Sequence, residues 1–226
     1  MPPINRAAFF VVKIMQKTLE DILKQVSVNV NGVAEVPSGD ELTAWIERVN
    51  EAYFEWSNSY DPQILIETYR TTMAQSGTSV SLPISFKKFA GFVKADSDNI
   101  PELDPVEATT STGDYITWGG NARDGYYLNI SEPVTEDVPF TVPYHSRPTS
   151  LSTLTSIAII PDPEFLTART TEKVMLQRSQ PEYVEFQVKA DLLLQRLVAE
   201  EVSADIQKSK GIRTQDEYNG FTFGED

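Results

Sequence analysis

From Thr18 onward the apolar positions recur at three and four. Leu19, Ile22, Leu23 and Val26 form one stripe behind Thr18, a good N-cap, and Asp21 sits where a capping-box carboxylate belongs. This predicts a first helix that gives way to a frayed end and loop over Ser27 to Pro37. Ser38 opens a second, with Glu41 three residues on and Leu42, Trp45, Ile46, Val49, Tyr53 and Trp56 on one heavily aromatic face, ending near Asn58.

The period then changes. Ile64 to Arg70, Ser79 to Leu82 and Phe86 to Lys94 read as strands, separated by turn residues and by Pro83. Two aromatic runs, Tyr115 to Trp118 and Tyr126 to Ile130, flank a Gly/Asn/Asp turn and predict a hairpin. Val138 to Tyr144 is a last strand, weakened on this reading by Pro139 and Pro143.

Helical spacing returns at Asp162, which the pattern makes an N-cap with Pro163 in the first helical position and Glu164 behind it. Phe165, Leu166, Val174 and Met175 supply the apolar side of this third helix, and Pro181 marks a restart. In the fourth helix Tyr183, Phe186, Ala190, Leu193, Leu194, Leu197 and Val198 form one stripe, with Val184, Val188 and Leu192 lying off it. A helix apolar on most of its circumference is expected to be buried on more than one side, at the centre of a bundle or against a neighbouring subunit. Lys208 to Gly211 is expected to end it.

The fold class predicted is α+β: a four-helix core, an antiparallel β-sheet or sandwich region inserted between helices 2 and 3, and an extended C-terminal tail. The divisions fall at 16–60 and 159–208 for the two halves of the helical core, 61–158 for the β-rich insertion and 209–226 for the tail.

Composition narrows the chemistry. The chain has no cysteine, which removes disulfides, thiolate metal sites and cysteine nucleophiles. A formal net charge of -14 repels DNA phosphate, so sequence-specific DNA binding is not expected, although an acidic wall past which DNA slides is compatible. No apolar run reaches membrane-span length. Arg6 followed by Ala7 to Val12 imitates a short signal peptide, but Lys13 breaks it before any small-residue cleavage site, so secretion is not expected.

Catalytic motifs are sparse. His145, the single histidine, is expected in a loop between Pro143 and Pro148, and no Gly-x-Ser-x-Gly elbow supplies a nucleophile. The acidic run Asp96-Ser97-Asp98-Asn99 with Glu107 imitates a Ca²⁺ loop, yet Ile100 and Pro101 stand where a ligand and the turning glycine belong. Trp118-Gly119-Gly120-Asn121 lacks the lysine and following helix of a phosphate loop. No enzyme activity, cofactor or metal is expected. Trp118, Tyr126 and Tyr127 offer an alternative, a stacking platform for a carbohydrate or other ligand.

Three stretches carry a family resemblance: Glu41 to Trp56, Phe86 to Val93 after Leu82-Pro83, and Asn129 to Arg178. Tyr144, Pro148, Leu151, Pro161-Asp162 and the helix from about Pro181 follow in the order of a closing strand, a Pro-Asp helix start and a long helix. Over roughly residues 38–208 the layout resembles the head–tail adaptor proteins of tailed bacteriophages. The resemblance implies a structural subunit of the virion neck, assembled in the host cytoplasm. Such a subunit forms a ring with copies of itself, as a dodecamer, between the portal protein and a tail or nozzle protein, with DNA passing through and no membrane contact. It makes Arg213, Tyr218, Phe221 and Phe223 the candidate portal-docking residues, and Val184, Val188 and Leu192 the candidate subunit interface.

Overall fold

A computed structural model describes residues 16–95, 98–100, 116–121 and 123–218. The class is α+β, with four α-helices and antiparallel sheets. Two compact units divide the chain: Met1–Ser59 with Ser150–Asp226, and Tyr60–Thr149.

The first unit holds the helices. A two-residue strand β1 (Lys17–Thr18) pairs with β10 (Ile157–Ala158), elements too short to leave a periodic signal. Helix α1 (Leu19–Asn31) follows. Thr18 caps it as expected: its Oγ1 accepts from the Asp21 N–H, and Asp21 Oδ2 accepts from the Thr18 N–H. Gly32 closes it at φ 75°, a left-handed conformation, giving its N–H to the Val28 carbonyl at 3.0 Å.

Helix α2 (Gly39–Ser59) buries Trp45, Val49, Ala52, Tyr53 and Trp56, with the Tyr53 and Trp56 rings stacked at 5.7 Å. The Glu41 carboxylate pairs with Arg178.

Helix α3 (Glu164–Gln177) begins one residue later than expected. Pro163 is the cap residue, and Asp162 still serves the terminus by accepting the Glu164 N–H at 2.9 Å. Helix α4 (Tyr183–Tyr218) is the longest element.

The structure corrects two expectations about these helices. The centre is α3 and not the apolar fourth helix. Nearly every residue from Phe165 to Met175 is buried, and α3 packs against α1, α2 and α4. The sequence hides this because the close-packing residues are small and polar: Thr167, Ala168, Thr170 and Thr171. Thr171 Oγ1 donates to the Thr167 carbonyl at 2.8 Å and accepts from Asn29 Nδ2 at 3.1 Å, and Thr167 Oγ1 donates to the Pro163 carbonyl, whereas Thr170 Oγ1 is buried with no partner among the described residues. Secondly, α4 does not end at Gly211 but runs through it to Tyr218. An interior glycine costs a helix about 1 kcal/mol relative to alanine, which does not by itself end one.

The second unit is β-rich. A 3₁₀ turn (Gln63–Leu65) replaces the first residues of the expected strand and leads into β2 (Ile66–Met73). Then come β3 (Ser79–Leu82), β4 (Phe86–Phe89), β5 (Val93–Ala95), β6 (Asp98–Ile100), β7 (Ile116–Asn121), β8 (Gly125–Ile130) and β9 (Val138–Ser146). The expected strand from Phe86 to Lys94 is thus two strands with a break at Ala90 to Phe92. The predicted hairpin is β7–β8, paired from Ile116↔Ile130 to Asn121↔Gly125.

One sheet runs β2-β9-β5-β6 with β4 also on β9; the other runs β3-β8-β7. A shared apolar core of Met73, Phe86, Phe140, Val142 and Tyr144 from one and Leu82, Ile116, Tyr126 and Leu128 from the other joins them.

The strand expected to be weakest, β9, is the hub. It pairs with β2 along all eight β2 residues and with β4 and β5 on its other edge. Its prolines are tolerated for a geometric reason. A strand residue points its N–H and C=O to the same edge. The Pro143 carbonyl accepts from Ala90 at 3.0 Å, so its missing N–H lies on the edge where β4 and β5 are interrupted. Pro139, four residues earlier, shares that edge. The β2 ladder on the opposite edge loses nothing.

Candidate functional site

Helix α4 rests on α3 through a narrow face. Ala190 is fully buried and Leu197 nearly so. At ~100° per residue, Val188 and Leu192 each lie about 160° around the helix from Ala190. They are 54 % and 60 % exposed, and Val184 is 48 % exposed. Their side chains therefore form an apolar stripe on the side of α4 away from α3.

The stripe extends further than sequence reasoning took it. Val202 is 52 % exposed, and Leu194, Val198, Ala199 and Val202 line an open apolar groove with Ser59, Gln195 and Ser203. The signal was the step from Leu192 to Ala199 to Val202, interrupted by polar Gln195.

Ion pairs fix the rotation of α4 that turns this stripe outward. Asp191 bonds Arg169 at 2.6 Å, Lys189 lies 3.9 Å from Glu164, and Arg196 pairs with Asp162. Arg169 is the centre of this set, also holding Glu55 at 3.0 Å and Glu172 at 2.6 Å with its side chain only 9 % exposed. Burial works against its charge, but bonds from Glu172 and Asp191 and the Glu55 charge outweigh it and raise its pKa further.

The candidate docking residues are divided. Arg213 and Tyr218 fall within α4, so their backbone is helical, while Phe221 and Phe223 lie outside the described residues.

In the β unit the three aromatics of the ligand-platform alternative do not share a surface. Tyr126 is buried, with Phe86 at 5.7 Å and the Arg147 guanidinium over its ring at 5.1 Å. Trp118 sits edge-on to Phe86 at 5.2 Å, on the same face as Tyr126. Tyr127, next along the strand, points to the opposite face, where its ring covers Gly119. Gly120 is needed for its backbone: φ is 97°, and a Cβ there would stand 2.1 Å from the Gly125 carbonyl oxygen. Asn121 Oδ1 then closes the turn by accepting the N–H groups of Arg123 and Asp124.

His145 is not in a loop as expected but buried near the end of β9, whose ladder with β2 and β4 continues past Tyr144. Its Nδ1 is shut off from solvent with no partner among the described residues, and burial pushes the ring's pKa below the ordinary histidine value. The neighbouring Ser146 hydroxyl is committed to the Leu65 carbonyl at 3.0 Å. Asp96, Ser97 and Glu107 of the calcium-like loop lie outside the described residues. Among the described residues no group of three or more His, Asp or Glu is arranged to hold a metal ion. None of the described helices is long and apolar enough to cross a membrane. No family model matches the chain, and no curated protein matches it.

Proposed function

We propose that the chain is a structural head–tail adaptor of a tailed phage, a ring subunit of the virion neck with no catalytic role and no cofactor. On this reading the two helical stretches form a four-helix core, residues 61–158 form an inserted β region between helices 2 and 3, and the end of the chain is a tail that reaches the portal protein. The observation that carries the assembly half is the outward apolar stripe of Val184, Val188 and Leu192. Side chains of this kind at helical spacing favour a protein neighbour over water, and copies of the same chain in a dodecameric ring supply one. The phage half rests on the sequence resemblance over residues 38–208. The net charge of -14 suits a channel through which DNA passes without sequence-specific binding on its way to a tail or nozzle protein.

The test is solution mass by light scattering, for the chain alone and mixed with portal protein. The reading expects a ring alone or on the portal, and expects Val188→Arg/Leu192→Arg to abolish it while the circular dichroism spectrum is kept. A chain that stays monomeric and does not bind portal overturns the proposal.

A further inference from the structure

Ala7 to Val12 is an unbroken apolar run, followed by Lys13, Ile14 and Met15. It lies outside the described residues, but the place where it joins them is fixed. The chain enters the helical unit at β1, where Lys17 pairs with Ala158 and Thr18 with Ile157 of β10. Followed back past Gln16, that antiparallel register runs alongside Ile159 and Ile160 toward Asp162, which Arg196 of α4 holds. Lys17 gives a second bearing. Its ammonium group pairs with Glu164, and the other oxygen of that carboxylate lies 3.9 Å from Lys189 of α4. Both bearings set the entry point against the flank of α4 that carries Lys189 and Arg196.

That flank borders the exposed stripe. At ~100° per residue, Leu192 lies about 60° around the helix from Lys189 and about 40° from Arg196. Two lysine side chains meeting at one carboxylate keep their backbones within about 20 Å, a distance that about six extended residues cover. Counted back from Lys17, that reach ends at Val11, inside the apolar run.

We propose that the N-terminal segment of the same chain is the cover of this stripe in the free protein, with Phe9, Phe10, Val11 and Val12 lying over Val184, Val188 and Leu192.

The lengths agree. Val184 to Leu192 spans about 12 Å of helix, and four extended residues span about 13 Å. The charges agree as well. Residues 1–15 hold Arg6 and Lys13 and no carboxylate side chain, while α4 exposes Glu182 and Glu185 at the end of the stripe where Arg6 arrives. Two phenylalanine rings against three half-exposed aliphatic side chains remove apolar surface from water on both partners. The tether at β1 decides between this segment and the same segment of another copy. It holds the run beside its own α4 at an effective concentration of roughly millimolar, so a separate copy loses the competition in dilute solution. The cover goes beyond the neck reading and does not rest on it: a chain that forms no ring still covers its stripe, and a ring can form whether or not a cover is displaced.

The experiment uses the full chain in dilute solution. It has no cysteine, so one introduced thiol carries a nitroxide label at a single known place. Gln195→Cys puts the label in the groove of α4, and Ser203→Cys is a second position there should the first variant not fold. Amide signals of Phe9 to Val12 are read by NMR with the nitroxide oxidised and then reduced. They are expected to be lost in the oxidised form and to return on reduction. Val188→Asp/Leu192→Asp is expected to keep them in both forms. When the nitroxide and the NMR isotope are on different chains and the two are mixed, the signals are expected to stay. Three results overturn the proposal. Signals kept in the doubly labelled chain show that the segment does not lie on α4. Signals lost only in the mixture show that the stripe takes the segment of a neighbouring copy. Signals still lost in the aspartate variant show that the apolar stripe is not what holds it.

Discussion

Replacing Arg169 with Met keeps most of the side chain's apolar length and removes its guanidinium. Three carboxylates lose a partner, but not equally. The side chains of Asp191 and Glu55 are 50 % and 34 % exposed and recover water, whereas that of Glu172 is 11 % exposed and stays largely dry. Breaking a buried pair by removing one partner costs ~3–5 kcal/mol, most of it the stranded charge. With two of the three carboxylates able to rehydrate, the expected loss is at the lower end, about 3 kcal/mol. The double variant Arg169→Met/Glu172→Leu removes the stranded charge as well and is expected to cost about 1 kcal/mol or less. Urea unfolding in a Trp118→Phe background measures both, since Trp45 and Trp56 of α2 then report on the helical unit alone. A single variant that costs under ~1 kcal/mol, or a double variant as damaged as the single, refutes the argument that Glu172 is held by this cation.

Tyr53→Phe removes a hydroxyl that accepts the Ile159 N–H at 2.8 Å and donates to the Ile159 carbonyl at 3.1 Å; it is expected to cost about 1–2 kcal/mol in the same unfolding assay, and an unchanged midpoint rejects the bridge. Gly120→Ala places a Cβ against the Gly125 carbonyl at positive φ; a loss of about 2 kcal/mol, with shifted amide resonances in β7 and β8, is expected, and an unaltered hairpin spectrum contradicts the contact.

Elements with their own local signal were legible. Thr18 and Asp21 announce α1, and the turn between β7 and β8 announces its hairpin, because caps and tight turns are written in neighbouring residues. What depends on distant partners was not. The burial of α3 comes from the three helices packed around it, and its Thr167 and Thr171 hydroxyls, which turn back onto carbonyls of the preceding turn, look like surface in the sequence. The prolines of β9 count against a strand until one knows which edge each faces. The stripe on α4 was visible as residues but not as a surface. Only the position of Ala190 and Leu197 against α3 decides that Val188 and Leu192 point outward. The role of Arg169 left no sequence signal, since its partners come from three helices.

The hub position of β9 also governs when the β unit can form. Its partner β2 ends at Met73, and β9 begins only at Val138, so the longest ladder joins segments more than sixty residues apart. A chain emerging from the ribosome carries β2 and β4 for several seconds with nothing to pair with, and β5 with only the short β6 on one edge, at ordinary synthesis rates of about 5–20 residues per second. Loop closure over that separation slows the search further. The unit is therefore completed by its last strand, and until β9 arrives the backbone edges of the earlier strands remain available to any other extended chain nearby.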